Sequence, residues 1–231
     1  MMFIDRRDAG RRLAGRLEDL RGRDVVILGL PRGGVPVAFE VARALGLPLD
    51  VIVVRKLGMP SQPELAMGAI GEGGVRILNP ELQRWGDVTG GEIAAVERRE
   101  QAELESRVTR LRAGRSRIPL KGRTAVIVDD GVATGSTARA ACQVARAQGA
   151  SQVVLAVPVA AAEAAESLLG IADEVVCLQT PDSFYAVGQW YEDFSQVPDE
   201  EVVGLLKRAA QEPSGAPRQD PGPLNSVPSG R

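Results

Sequence analysis

Between residues 125 and 137 the chain gathers groups that can do chemistry. Ala125, Val126, Ile127 and Val128 form an apolar, β-branched run with the look of a buried strand, and it delivers two adjacent carboxylates, Asp129 and Asp130, to its C-terminal end. In an open α/β sheet that edge is where ligands bind. Thr134, Gly135, Ser136 and Thr137 then open a helix. Amides at a helix start, with three hydroxyls beside them, form an anion cradle, and Gly135 lets the backbone approach closely. The segment thus offers acids for sugar hydroxyls or for a metal, next to a nest for phosphate. A phosphorylated sugar fits both halves. Asp-Asp as a simple turn cap and Thr-Gly-Ser-Thr as a simple helix start explain an isolated acid pair better than this ordered pattern.

Composition removes other chemistries. The 231 residues contain no histidine, which excludes Ser-His-Asp, Cys-His and His-ligated metal mechanisms. Cys142 and Cys177 are far apart in apolar segments without a CxxC, which argues against a zinc or redox site. Lys and Arg total 28 against 30 Asp and Glu, a net charge of −2. A nucleic-acid surface is therefore not the main business of the chain, although a local basic patch is compatible with it. With 44% apolar and 25% charged residues the composition is that of a globular domain able to bury a core. No 18-residue apolar run is present, so no membrane partner is expected, and the first twelve residues are too charged for a signal peptide. A cytoplasmic location is expected.

The elements that must position the acids follow from periodicity. A helix is expected over 5–21, with Ala9, Leu13, Leu17 and Leu20 at helical spacing and Asp5 as its cap. A buried strand at 25–28 stops at Leu30, Pro31, Arg32, Gly33 and Gly34. A helix over 35–45 and a second strand over 49–54 come next. Residues 57–92, with eight glycines and three prolines, break the rhythm. Within them 66–70 and 75–78 flank Gly71 to Gly74 as a hairpin. A long charged helix is predicted over 93–111, then strands at 125–128, 153–157 and 174–178 alternating with helices over 136–148 and 160–169, and a last helix over 199–211. This alternation means an α/β fold, a parallel sheet of about five strands with helices on both faces. Residues 213–231, with five prolines and three glycines, read as a disordered tail after a single domain over 1–212.

The 125–137 segment resembles the phosphoribosyl pyrophosphate (PRPP) signature of the type I phosphoribosyltransferases: an apolar strand, two acids, two or three small or apolar residues, then Thr-Gly-x-Thr. The resemblance extends over about residues 20–180 in order and spacing. It implies that Asp129 and Asp130 hold the ribose 2′ and 3′ hydroxyls and that the loop Ala133, Thr134, Gly135, Ser136, Thr137 binds the 5′-phosphate. It implies Mg²⁺ held mainly by substrate oxygens, so that Asp129 and Asp130 act on it indirectly, through PRPP and water. Residues 30–34 look like the family's pyrophosphate loop, which often holds a non-proline cis peptide. Arg32 would face the leaving pyrophosphate, with Gly33 and Gly34 exposing amides to it. Arg55 and Lys56 match basic residues placed near pyrophosphate. Asp129, Asp130, Arg32 and Lys56 would carry catalysis.

Further implications are a mobile lid over about 57–92, with Glu64 or Glu72 as the acid it could bring, and a hood over about 179–197 with an N-terminal contribution. The hood region holds Phe184, Tyr185, Trp190, Tyr191 and Phe194, five of the eight aromatics. Most of these suit the hood's own small core. Phe184 and Tyr185, nearest the strand end, are the candidates for touching an acceptor. Where the 6-oxopurine branch carries an Asp that handles a proton on the base, this chain has Ala133, which argues against that branch. The expected activity is Mg-dependent transfer of the 5-phosphoribosyl group of PRPP to a base-like nitrogen acceptor, in nucleotide metabolism, by a homodimer. A non-catalytic PRPP-binding regulator and a sugar-phosphate hydrolase are the alternatives.

Overall fold

The strand Val25–Gly29 (β1) is buried at every position. Its side chains alternate between two apolar layers, Val25 and Ile27 in one and Val26 and Leu28 in the other. Thr124–Val128 (β6) lies parallel beside it and divides the same way, Val126 and Val128 against Ala125 and Ile127. A strand apolar on both faces needs helices above and below it. The computed structural model, which describes residues 2–63, 65–79, 86 and 88–211, supplies them.

Five parallel strands form the main sheet in the order β2-β1-β6-β7-β8, where β2 is Leu49–Val51, β7 is Gln152–Val159 and β8 is Glu174–Gln179. One face packs α1 (Arg6–Ala14), α2 (Gly34–Leu45) and the last helix α6 (Asp199–Gln211). The other face packs α4 (Ser136–Ala147) and α5 (Ala162–Leu168). This is the expected α/β class. The strand order reverses between β1 and β6, so the loops that follow these two strands diverge to opposite faces and leave a crevice between them.

A second sheet departs from the expectation. Val54–Gly58 (β3), Ala66–Gly71 (β4) and Val75–Leu78 (β5) form an antiparallel sheet of their own. The expected strand over 49–54 is therefore two strands, and the chain passes from one sheet to the other at Ile52 and Val53. A continuous apolar run carries no mark of such a handover. The hairpin expected at 66–78 is present as β4 and β5, with β3 as its third strand. Leu57, Met67 and Ile70 pack with Ile93 and Leu104 of α3 (Gly90–Arg112), while Val54 and Ala69 pack with α4. Much of the described part of 57–92 is thus a sheet held between two helices, and Glu64 lies outside the described residues. So does the segment 213–231.

The first helix is shorter than the periodicity predicts. It ends at Ala14, and a short 3-10 turn over Glu18–Leu20 carries Leu20 into the core. Asp5 caps it, accepting from the Asp8 amide at 2.7 Å. Among the described residues no helix is long and apolar enough to cross a membrane. Cys142 and Cys177 are free thiols, and burial pushes the Cys142 thiol up to about 12.

Candidate active site

Both loops singled out in the sequence stand at the C-terminal edge of the main sheet, on the two sides of the switch point. After β1 the chain turns through Pro31 and Arg32, whose peptide bond is cis, and enters α2 with Gly33 as cap. After β6 it presents Asp129 and Asp130. The two loops touch. A Cβ on Gly33 would lie 1.9 Å from Asp130 Oδ2, and one on Gly34 would lie 2.5 Å from the Val128 carbonyl oxygen and 2.8 Å from the Asp129 Cα. Only glycines let the acid pair and the 30–34 loop approach this closely, although Gly33 has an ordinary φ of −60°.

Asp129 and Asp130 are adjacent carboxylates in surroundings that withhold water. Burial, then the charge of Asp130, holds Asp129 well above the usual carboxylate range. Burial also raises Asp130, opposed by Arg6. The Arg6 Nε donates to Asp130 Oδ2 at 2.8 Å, and its Nη1 donates to the Ser195 carbonyl at 2.8 Å. Tyr191 donates its hydroxyl to the Asp130 main-chain carbonyl at 2.5 Å.

The cradle lies beyond the acids. Val132 pairs with Ala160 and donates to the Val159 carbonyl, which anchors the start of the loop to β7. Ala133, Thr134 and Thr137 are exposed, and Gly135 sits at φ +76° as the cap of α4. Among the described residues the amides of Ala133, Thr134, Gly135 and Thr137 have no partner within the chain, and the Ser136 amide makes only a 3.5 Å contact with Thr134 Oγ1. Four open amides at the start of a twelve-residue helix favour an anion.

On the other side of the switch point the basic residues are more numerous than the sequence reading found. Arg32 lies 3.8 Å from Asp199 of α6, and Arg110 of α3 lies 3.1 Å from the same carboxylate. Arg107, also on α3, donates to the Pro31 carbonyl at 2.9 Å and so braces the 30–34 loop. Its own burial and then the charges of Arg55 and Arg32 press its affinity for a proton downward. Arg55 stands on β3, ion-paired with Glu100 of α3 at 2.6 Å. Lys56, its neighbour in the strand, points to the opposite face of the sheet. Arg55 therefore joins the group formed with Arg32, Arg107 and Arg110, and Lys56 does not share its face.

Phe184 packs half-buried against the small cluster of Phe3, Val159 and Tyr191, whereas Tyr185 is 89% exposed. The Tyr191 ring lies between Phe3 at 5.3 Å and Phe194 at 5.1 Å. Phe3 reaches it by pairing with the hood backbone, donating to the Trp190 carbonyl and accepting from Glu192. Glu72 is tied to Arg112 at the junction of the two sheets. Sequence reasoning missed Arg6 and Arg107; it placed Tyr191 among the aromatics of a small core, where it is found, without its bond to the acid pair. Arg6 is 124 residues from its partner, and Arg107 looks like one more solvated charge on a charged helix.

The chain is 48% identical to the Thermus thermophilus protein TT1426, whose crystal structure superposes with a TM-score of 0.84 over 90% of this chain and 99% of that one. It is 62% identical over 208 residues to proteins of two Mycobacterium tuberculosis strains, H37Rv and CDC 1551, that each bear the name "Putative phosphoribosyl transferase". The match takes in 90% of this chain and 47% of theirs, so the chain spans about half the length of these curated relatives. Residues 5–195 match the family model described as the phosphoribosyl transferase domain, and on a match that runs from α1 through the hood the chain belongs to the phosphoribosyl transferase family.

Proposed function

We propose that this protein binds PRPP and moves its 5-phosphoribosyl group to a base-like nitrogen acceptor, releasing pyrophosphate. The observation that carries this reading is the meeting of three anion- and sugar-binding features at one switch point: the acid pair, the open-amide cradle and the glycine loop backed by arginines. In this reading Asp129 and Asp130 accept the ribose 2′ and 3′ hydroxyls, and the amides of Ala133 to Thr137 hold the 5′-phosphate. Arg32, Arg55 and Arg107 gather round the pyrophosphate beside the Gly33 backbone; the Gly34 amide, expected to be exposed, is buried and already donates to the Leu30 carbonyl at 3.0 Å. Phe184 remains the better placed of the two proposed acceptor contacts, because Tyr185 stands out in solvent.

Among the described residues no group of three acids, histidines or cysteines forms a metal site. The acid pair, one member already paired with Arg6, suits a Mg²⁺ that arrives with PRPP and is held by substrate oxygens and water, so that the carboxylates meet it only through them. Such an ion would neutralise charge on the departing pyrophosphate. The chain's own task is then positioning: fixing the sugar, drawing the pyrophosphate toward the arginines and keeping water from C1.

The test is pyrophosphate release from PRPP and Mg²⁺ across a panel of purine, pyrimidine and other nitrogen acceptors. Release that depends on one acceptor class is the expected result. PRPP binding with no release under any acceptor would instead mark a regulator. That reading draws on Ala133, which offers no proton-handling side chain. Release without any acceptor would mark a hydrolase.

A further inference from the structure

Arg6 is the first residue of α1, and its side chain is only 11% exposed although nothing in the sequence marks it. Its guanidinium makes three contacts at once. Nε meets Asp130 Oδ2 at 2.8 Å, Nη1 meets the Ser195 carbonyl at 2.8 Å, and Cζ lies 3.9 Å from the centre of the Phe194 ring. The fork thereby joins the N-terminal helix, the hood and the acid pair. Asp130 is held on its remaining sides by the bare Cα of Gly33 and, through its main chain, by the Tyr191 hydroxyl.

We propose that Arg6 is a positioning residue of the ribose site: its guanidinium presents the Asp130 carboxylate as an acceptor for a sugar hydroxyl and ties the hood to that carboxylate. The inference rests on the PRPP reading above. The physical need is plain. Two adjacent carboxylates in poorly hydrated surroundings repel, and one of them takes up a proton unless a cation stands by. A protonated carboxyl gives up much of its capacity as a hydroxyl acceptor. Arg6 is the cation that the structure places there. It engages one oxygen of Asp130, and a carboxylate has about four acceptor positions, so room is left for a ligand. The charged or titratable groups facing Asp130 are Asp129 from its own loop, Arg6 from α1 and Tyr191 from the hood, while the 30–34 loop faces it with glycine.

The experiment has two readouts on Arg6→Gln and Arg6→Lys, with folding checked by circular dichroism. The first is the titration of Asp130 by carboxyl carbon-13 NMR in the protein without ligand. The second is PRPP affinity by calorimetry between pH 6 and 8. In Arg6→Gln the Asp130 midpoint should move up, and PRPP affinity should fall about tenfold or more at pH 6 and recover as pH rises. Arg6→Lys, which keeps the charge and loses the fork, should hold the midpoint near that of the parent and speed amide exchange at 193–196. A midpoint unchanged in folded Arg6→Gln, or one raised as far in Arg6→Lys as in Arg6→Gln, overturns the proposal. So does an equal fractional loss of affinity at every pH. If the parent protein fails to bind PRPP, the functional reading falls, and the ligand-free titration still decides whether Arg6 governs Asp130.

Discussion

Asp129 carries a conflict between stability and use. Its folded-state affinity for a proton is raised, by burial first and by Asp130 second. A carboxyl raised in this way binds more protons folded than unfolded, so folding stability falls as pH climbs from the ordinary carboxylate range, near 3.9, through the raised value. Asn keeps the Oδ1 acceptor that the Asp130 amide uses at 2.9 Å and removes the charge. Asp129→Asn should therefore melt at a temperature that gains on the parent as pH rises from 4 to 7.5, while PRPP affinity drops about tenfold or more, roughly 1.4 kcal/mol. Melts and calorimetry over that range check both arms, and a melting difference that does not change with pH would remove the electrostatic argument. Gly33 gives the steric counterpart. Its φ of −60° suits alanine, yet the new methyl would fall 1.9 Å from Asp130 Oδ2. Gly33→Ala should displace Asp130 from Arg6, cost about 1–3 kcal/mol of stability and remove most PRPP binding. A crystal structure of this variant with the Arg6–Asp130 pair intact would contradict the assignment.

The elements that hold these residues were legible where periodicity and local chemistry agree. Strand, acid pair, glycine and helix over 124–147 follow one another in sequence, so residue types alone placed them. The second sheet was half legible: Gly71 to Gly74 marked the β4–β5 hairpin, but nothing in Ile52 and Val53 marks a change of sheet. What fixes that change is non-local. Arg112, at the end of α3, is 7% exposed and meets Asp50 of β2 at 2.9 Å and Glu72 just after β4. Asp50 also accepts from the amides of Val51 and Ile118, both at 2.8 Å. One arginine thus joins both sheets to the long helix. Replacing it strands two acids, and breaking a buried pair from one side costs about 3–5 kcal/mol. Arg112→Met should lose stability on that scale, and Asp50→Asn should cost much less in the Arg112→Met background than in the parent. A double-mutant cycle by urea unfolding measures the difference, and simple additivity would mean that the triad does not act as a unit.

At the scale of the molecule the balance of charge conceals its arrangement. A net charge of −2 suggests no attraction for anions, yet Arg32, Arg55, Arg107 and Arg110 converge where the 30–34 loop meets α3, with Asp199 and Glu100 as the acids among them. Arg32 and Arg55 were legible beside their strand ends, whereas Arg107 and Arg110 were not, because they lie on a long charged helix where a charge usually faces water. Their arrangement has an energetic signature. Burial and the neighbouring cations Arg55 and Arg32 both disfavour the charged form of Arg107, so an anion that binds among them relieves repulsion already present in the free protein. A ligand that binds only the folded state stabilises it by about 2.7 kcal/mol at one hundred times its dissociation constant. For a domain of this size each kcal/mol moves the melting temperature by about 2–4 °C. Saturating pyrophosphate should therefore raise it by several degrees above sodium chloride of equal ionic strength, and the gain should shrink as salt is added. Arg107→Gln keeps a donor for the Pro31 carbonyl and removes one cation, so the pyrophosphate-dependent gain should fall by about half or more while the melting temperature without anion stays near that of the parent. Scanning fluorimetry with pyrophosphate, orthophosphate and chloride in parallel separates the cases. An equal gain from pyrophosphate in parent and variant would show that the arginines meeting at the 30–34 loop are not where the anion sits.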